Sequence, residues 1–170
     1  MTPAHVETLA GERVTILFVG SLLEDHLSIR SILSHSKWGL HHAFGCKDAI
    51  GVLQRHSVPV VICASDLPDG DWKLFREESG RLPCPPCLIV ASRVVDAKLW
   101  GRLWGEVLNL GAYDLLATPF DPGEVLRVGS LAWHSWRNQR MCESKPPATA
   151  GGADSVPAVA GLGLGCTTAA

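Results

Sequence analysis

The stretch VVICASDLPDGDW, Val60 to Trp72, runs an apolar segment straight into a turn that carries Asp66, Pro68, Asp69 and Gly70. A carboxylate at the end of such a segment can serve as an oxygen nucleophile or help to hold a hard cation. The junction residue is Ala64, which can neither donate, accept nor attack. Two other constellations could do chemistry. Cys84 and Cys87 make a CPPC with the spacing of a redox dithiol or of half a zinc site. A redox pair needs a helix N-terminus to lower its thiol pKa, whereas Cys87 leads into Leu88, Ile89 and Val90, which read as a strand. Zinc needs a second close pair of ligands, and Cys46, Cys63, Cys142 and Cys166 are scattered singly. The histidines are the other constellation. His41 and His42 alternate along a strand and point opposite ways, and His26, His35, His56 and His134 have no partner at ligand spacing and read as solvated surface groups. No metal and no cofactor is expected.

Composition narrows the field. The 170 residues suit one domain with tails, and the formal net charge of -2 arises from mixed charges without a basic block. No positive field is built for nucleic acid or an anionic membrane. The start, MTPAHVETLAGER, lacks a cationic segment followed by an apolar run, and no stretch reaches the apolar length of a membrane span. A cytoplasmic protein is expected.

The elements that must position these residues alternate. Five apolar runs, Val14 to Val19, Gly39 to Phe44, Val58 to Ala64, Cys87 to Ala91 and Tyr113 to Ala117, are separated by helix-like segments. This rhythm predicts a doubly wound α/β fold with helices on both faces of a parallel sheet. The second run carries two histidines and belongs at an edge. Ser21 and Glu24 have capping-box spacing ahead of a stripe of Ile29, Ile32 and Leu33. Asp96 opens a helix in which Leu99, Leu103 and Val107 recur every four residues, with Gly111 at its expected C-cap. Asp121, Pro122 and Glu124 start the last helix, which carries Val125, Val128, Ala132 and Trp136. Residues 1–12 read as a leader, 13–139 as the folded domain and 140–170 as a disordered tail rich in Ala, Gly and Pro. The tail's GLGLG lacks the strand and helix that a dinucleotide loop requires, and Cys166 stands one place too early for prenylation.

The alternating layout, the LPDG turn after the third run and GAYDLLATPF at the fifth together resemble the receiver domain of two-component response regulators, from about Val14 to Gln139. The resemblance implies a five-stranded parallel sheet in the order 2-1-3-4-5 with its site at the carboxyl ends of the strands. In that family an Asp ends the third strand and accepts a phosphoryl group, two acids after the first strand hold Mg²⁺, a Thr or Ser ends the fourth strand, and a Lys precedes the Pro of the fifth. Carried over onto this chain, the acceptor position is Ala64, the acid positions are Gly20 and Ser21, the hydroxyl position is Ala91 beside Ser92, and the lysine position is Thr118. Every departure removes a charge or a nucleophile.

Glu24 and Asp25, or Asp66 and Asp69, stand near enough to suggest a rescue. Glu24 reads as a cap, Asp25 as a helix-dipole partner and Asp69-Gly70 as turn chemistry. Asp66 is the best relocated acceptor, yet a shift of two residues moves it by roughly 6–7 Å along a strand, more than in-line transfer tolerates. The reading that follows is a non-enzymatic receiver-like module in phosphorelay signalling that binds another signalling protein, or a second copy of itself, through its fourth and fifth helices. Trp100, Trp104 and Trp133 are its candidate interaction face, and Trp136 reads as core. The rival readings are a small flavodoxin-like redox or nucleotide-binding protein, and an active receiver that uses Asp66. Against the nucleotide, VGSLLED after the first strand offers one glycine rather than a phosphate-cradling loop.

Overall fold

The computed structural model describes residues 13–93 and 96–143. The leader and residues 144–170 of the expected tail, with GLGLG and Cys166, lie outside them, whereas residues 140–143, expected as tail, are helical. The apolar runs become β1 (Thr15–Val19), β2 (Gly39–Ala43), β3 (Val60–Ala64), β6 (Cys87–Arg93) and β7 (Asp114–Thr118), and LPDG becomes a small hairpin of β4 (Asp66–Leu67) and β5 (Gly70–Asp71). The helices are α1 (Leu23–Ser34), α2 (Cys46–Arg55), α3 (Trp72–Gly80), α4 (Ala97–Asn109) and α5 (Pro122–Glu143). All pairings in the main sheet are parallel, and its order β2-β1-β3-β6-β7 is the predicted 2-1-3-4-5 with the hairpin set aside. The histidine-bearing strand is an edge, as its polarity requires.

Because side chains alternate across a strand, the central strands split their apolar residues between two cores. Leu17, Val19, Val61, Cys63 and Val90 meet Ala49, Phe75 and Val107 of α2, α3 and α4. Ile16, Phe18, Val60, Ile62 and Ile89 meet Ile29 and Leu33 of α1 and Val125, Val128 and Ala132 of α5.

Several helix ends form as read. Asp96 accepts the Lys98 N–H at 3.3 Å, Asp121 accepts the Glu124 N–H at 2.8 Å, and Gly111 takes φ +80° just past α4. The expected capping box does not form. The N-cap of α1 is Leu22 and makes no side-chain hydrogen bond, because the helix starts at Leu23 and leaves Ser21 one residue too far upstream. Glu24 and Asp25 sit in the first turn, beside the positive helix end. The stripe on α4 is also rotated from its expected position. Leu99 is 56% exposed, while Trp100 and Leu103 pack against the core with Val107 fully buried. Spacings of three and four, rather than a strict four, keep a helical face aligned with a sheet.

Candidate functional site

The carboxyl ends of β1, β3, β6 and β7 bring the aligned positions together. Val19 pairs with Cys63 and Ala64 pairs with Ala91, which places Gly20 beside Ala64: a Cβ on Gly20 would stand 3.4 Å from that of Ala64. Ala91 lies opposite Leu116 on β7, and Thr118, only 7% exposed, ends that strand opposite Arg93. Ser21 is exposed beyond β1. Asp66 does not join this group. It lies on the hairpin, accepts the Ser65 hydroxyl at 3.0 Å, and lines with Ser92 and Lys73 a cavity of about 890 Å³ on the side of α3 and α4.

Aromatic rings fill the floor beneath Gly20. A Cβ there would meet the Phe18 ring at 3.0 and 3.2 Å. Phe18 stacks on His42 at 5.8 Å and meets Phe120 edge-on at 6.3 Å, and His42 stacks on His26 at 4.1 Å. The His42 Nε2–H donates to the Gly20 carbonyl at 2.9 Å and ties the edge strand to the end of β1. His26 is therefore a packed group rather than a solvated one, and its Nδ1 is buried without a hydrogen-bond partner. His56 is also paired, stacking on His41 at 5.1 Å, so the two strand histidines do point opposite ways. The sequence signal for the first pair was a His on an edge strand and another in the first turn of the helix packed beside it.

Burial, then His42 and Arg30, lower the His26 pKa. The unfolded imidazole binds a proton at about pH 6.5 and the folded one only at lower pH, so this stability is complete above about 6.5 and lost as pH falls below it. Thermal melting from about pH 8 to about pH 5 is expected to show a decline that His26→Phe flattens. An unchanged slope in the variant would remove His26 as its source.

Asp69 does more than turn chemistry. Its carboxylate crosses to the start of α2, where Oδ1 accepts the Cys46 N–H at 2.7 Å and Oδ2 the Lys47 N–H at 3.0 Å. The hydrogen bonds from Lys47 and Cys46 hold its carboxyl below the usual range. Asp25 is shifted the other way, raised by burial against the opposing pull of the Arg93 guanidinium. Cys84 and Cys87 are unbridged, and burial raises the Cys87 thiol, opposite to what a redox nucleophile needs. Among the described residues no group of three His, Cys, Asp or Glu side chains is placed to hold a metal ion, and no helix is long and apolar enough to cross a membrane.

The tryptophans separate. Trp100 packs against the core on one face of the sheet and Trp133 against the core on the other, while Trp104 is 41% exposed with Leu108 at 46%. Trp133 is thus not brought beside Trp104. Trp136 is partly buried and donates its indole N–H to the Pro85 carbonyl at 3.1 Å.

Strand order and the crevice between β1 and β3 define a flavodoxin-like α/β domain. Within that class the chain has the fold of response regulator receiver domains. It matches the signal receiver domain of an HD domain-containing protein from Pseudomonas fluorescens Pf-5 at 26% identity and TM-score 0.67, over 77% of this chain and 94% of that one. It matches the signal receiver domain of a putative Luxo repressor protein from Vibrio parahaemolyticus at 17% identity and TM-score 0.69, over 79% and 100%. A CheY-like receiver domain protein from Methanospirillum hungatei JF-1 matches at 16% identity and TM-score 0.64, over 75% and 99%. No family model and no curated protein matches the chain. The Mg²⁺ site of receiver domains does not fit the residues present, because Gly20, Ser21 and Ala64 supply no carboxylate and the Phe18 ring edge borders the space a side chain on Gly20 would enter.

Proposed function

We propose that this protein is a receiver-like module of phosphorelay signalling that acts by phosphorylation-independent protein binding rather than by catalysis. One observation carries the reading. A Cβ added at Gly20 would stand 3.4 Å from that of Ala64, so alanine and glycine lie side by side where an acid and a phosphoryl acceptor would face each other, over a floor of stacked rings. The aligned positions Gly20, Ser21 and Ala64 offer no carboxylate, so a phosphoryl group has neither its aspartyl acceptor nor the acids that would hold Mg²⁺ beside it. The message then passes by surface contact. The exposed apolar side chains that support this are Trp104 and Leu108 on α4 and Leu131 on α5. Its partner is another signalling protein or a second copy of the chain.

The test is intact mass after incubation with acetyl phosphate and Mg²⁺. No phosphoryl adduct is expected. An adduct that disappears in Asp66→Ala would overturn the proposal in favour of a relocated acceptor.

A further inference from the structure

β2 is an edge strand, and one side of its backbone is unpaired. The Gly39 N–H donates to the Val14 carbonyl and the Ala43 carbonyl accepts from the Gly20 N–H, so alternate residues of β2, from Gly39 to Ala43, face β1. Leu40 and His42 turn their N–H and C=O groups the other way, and among the described residues nothing hydrogen-bonds to them. We infer that β2 pairs with β2 of a second copy of this chain, antiparallel and centred on His41, so that one sheet runs through both copies.

Three observations select a second copy as the occupant. The first is register. A two-fold axis at His41 sets Leu40 opposite His42 of the second copy, and His42 opposite its Leu40, which are the residues whose backbone groups point outward. Opposed residues of this kind exchange both N–H···O=C bonds in an antiparallel ladder, so the edge is its own complement. The second is the absence of the devices that keep an edge single. From Trp38 to Phe44 the sequence WGLHHAF holds no Lys, Arg, Asp, Glu or Pro, and such an edge is a template for another strand. The opposite edge, β7, carries Asp114 and runs into Pro119. The third is the flank. Leu23 and Leu27 of α1 and Phe44 just past β2 are exposed, at 67%, 50% and 63%. They border the edge, because the Phe44 ring lies 4.6 Å from that of His42, which stacks on His26 of the same helix. Pairing of the edges brings the two α1 helices side by side across the axis, where these side chains leave water. The His26–His42 stack accounts for the strand's polarity within one chain, but not for an uncharged edge beside exposed leucines. The pairing lies across the sheet from α4, which packs on β7, so Trp104 and Leu108 stay open to a different partner.

The test is sedimentation of the full chain over a range of concentrations, with hydrogen exchange read at the Leu40 and His42 amides. A concentration-dependent dimer is expected, in which both amides are protected and lose that protection on dilution. His41→Lys sets like charges opposite each other across the axis and should weaken the dimer at least tenfold, with a melting curve confirming that it folds. His41→Thr and Trp104→Ala should dimerise as the parent does. His41→Cys tests the register separately: residues opposed without hydrogen bonds lie about 4.5 Å apart at Cα, so oxidised glutathione should link two chains through position 41, a bond that peptide mapping tells from links through the native cysteines. A chain that is monomeric throughout would overturn the pairing, as would a dimer that His41→Lys leaves intact or that Trp104→Ala abolishes. Protection of both amides in the monomer would mean that another segment of the same chain covers the edge, and would overturn it equally.

Discussion

Trp100→Ala should destabilise the domain by roughly 2–4 kcal/mol, while Trp104→Ala should leave its melting temperature almost unchanged and weaken self-association or partner binding. The two indoles are one helical turn apart and look alike in sequence. Trp100 packs against the core beside Leu103, so its removal opens a cavity that the surrounding side chains only partly fill. The part of its ring that is already in water places the expected cost below that of a fully buried tryptophan. Trp104 is 41% exposed and gains its burial only when something covers α4. Chemical denaturation of both variants, with sedimentation or a partner pull-down, separates the roles. Equal destabilisation by the two would mean that both rings are core and that α4 presents no binding face.

The second large effect is expected at Gly45. Its backbone is extended, at φ -153°, so no unusual conformation demands glycine there. The reason is proximity: a Cβ would stand 2.5 Å from Asp69 Oδ1 and 2.9 Å from Oδ2. Gly45→Ala must therefore push the carboxylate off the Cys46 and Lys47 N–H groups, at a cost of about 1–2 kcal/mol, similar to that of Asp69→Ala. The effects should not add. Once Asp69 is alanine the added methyl has nothing to displace, and the double variant should be about as stable as either single one. Acidity offers a check. The Asp69 carboxyl lies below its unfolded pKa of about 3.9, so its contribution is present above that pH and fades as pH falls through the lower folded value. The gap between parent and Asp69→Ala should close in acid. Strict additivity, or a gap independent of pH, would show that Asp69 does not anchor α2.

What could be read in the chain followed from how local its cause is. The apolar runs at Val60 to Cys63 and Leu88 to Val90 had to be central strands, because a segment apolar on both faces must be covered on both. His41 and His42 consigned theirs to an edge. Asp96, Asp121 and Gly111 act within three residues of themselves, and each lies where local chemistry put it. The Ser21 cap failed for an equally local reason, a helix that begins one residue too late. Leu99 was misplaced because its periodicity fixed a stripe on α4 without fixing which edge of that stripe meets the sheet.

The sequence alone therefore determined the doubly wound order of elements and the absence of a carboxylate at Gly20, Ser21 and Ala64, of a hydroxyl at Ala91 and of an ammonium at Thr118, since both depend on residue identity and short-range pattern. Tertiary structure alone decided that Asp69 would cap a helix begun 23 residues earlier and that His26 would lie on His42. Such pairings are set by strand register and by the angle at which helices pack. Neither is written in the spacing of residues that meet only after the chain has closed.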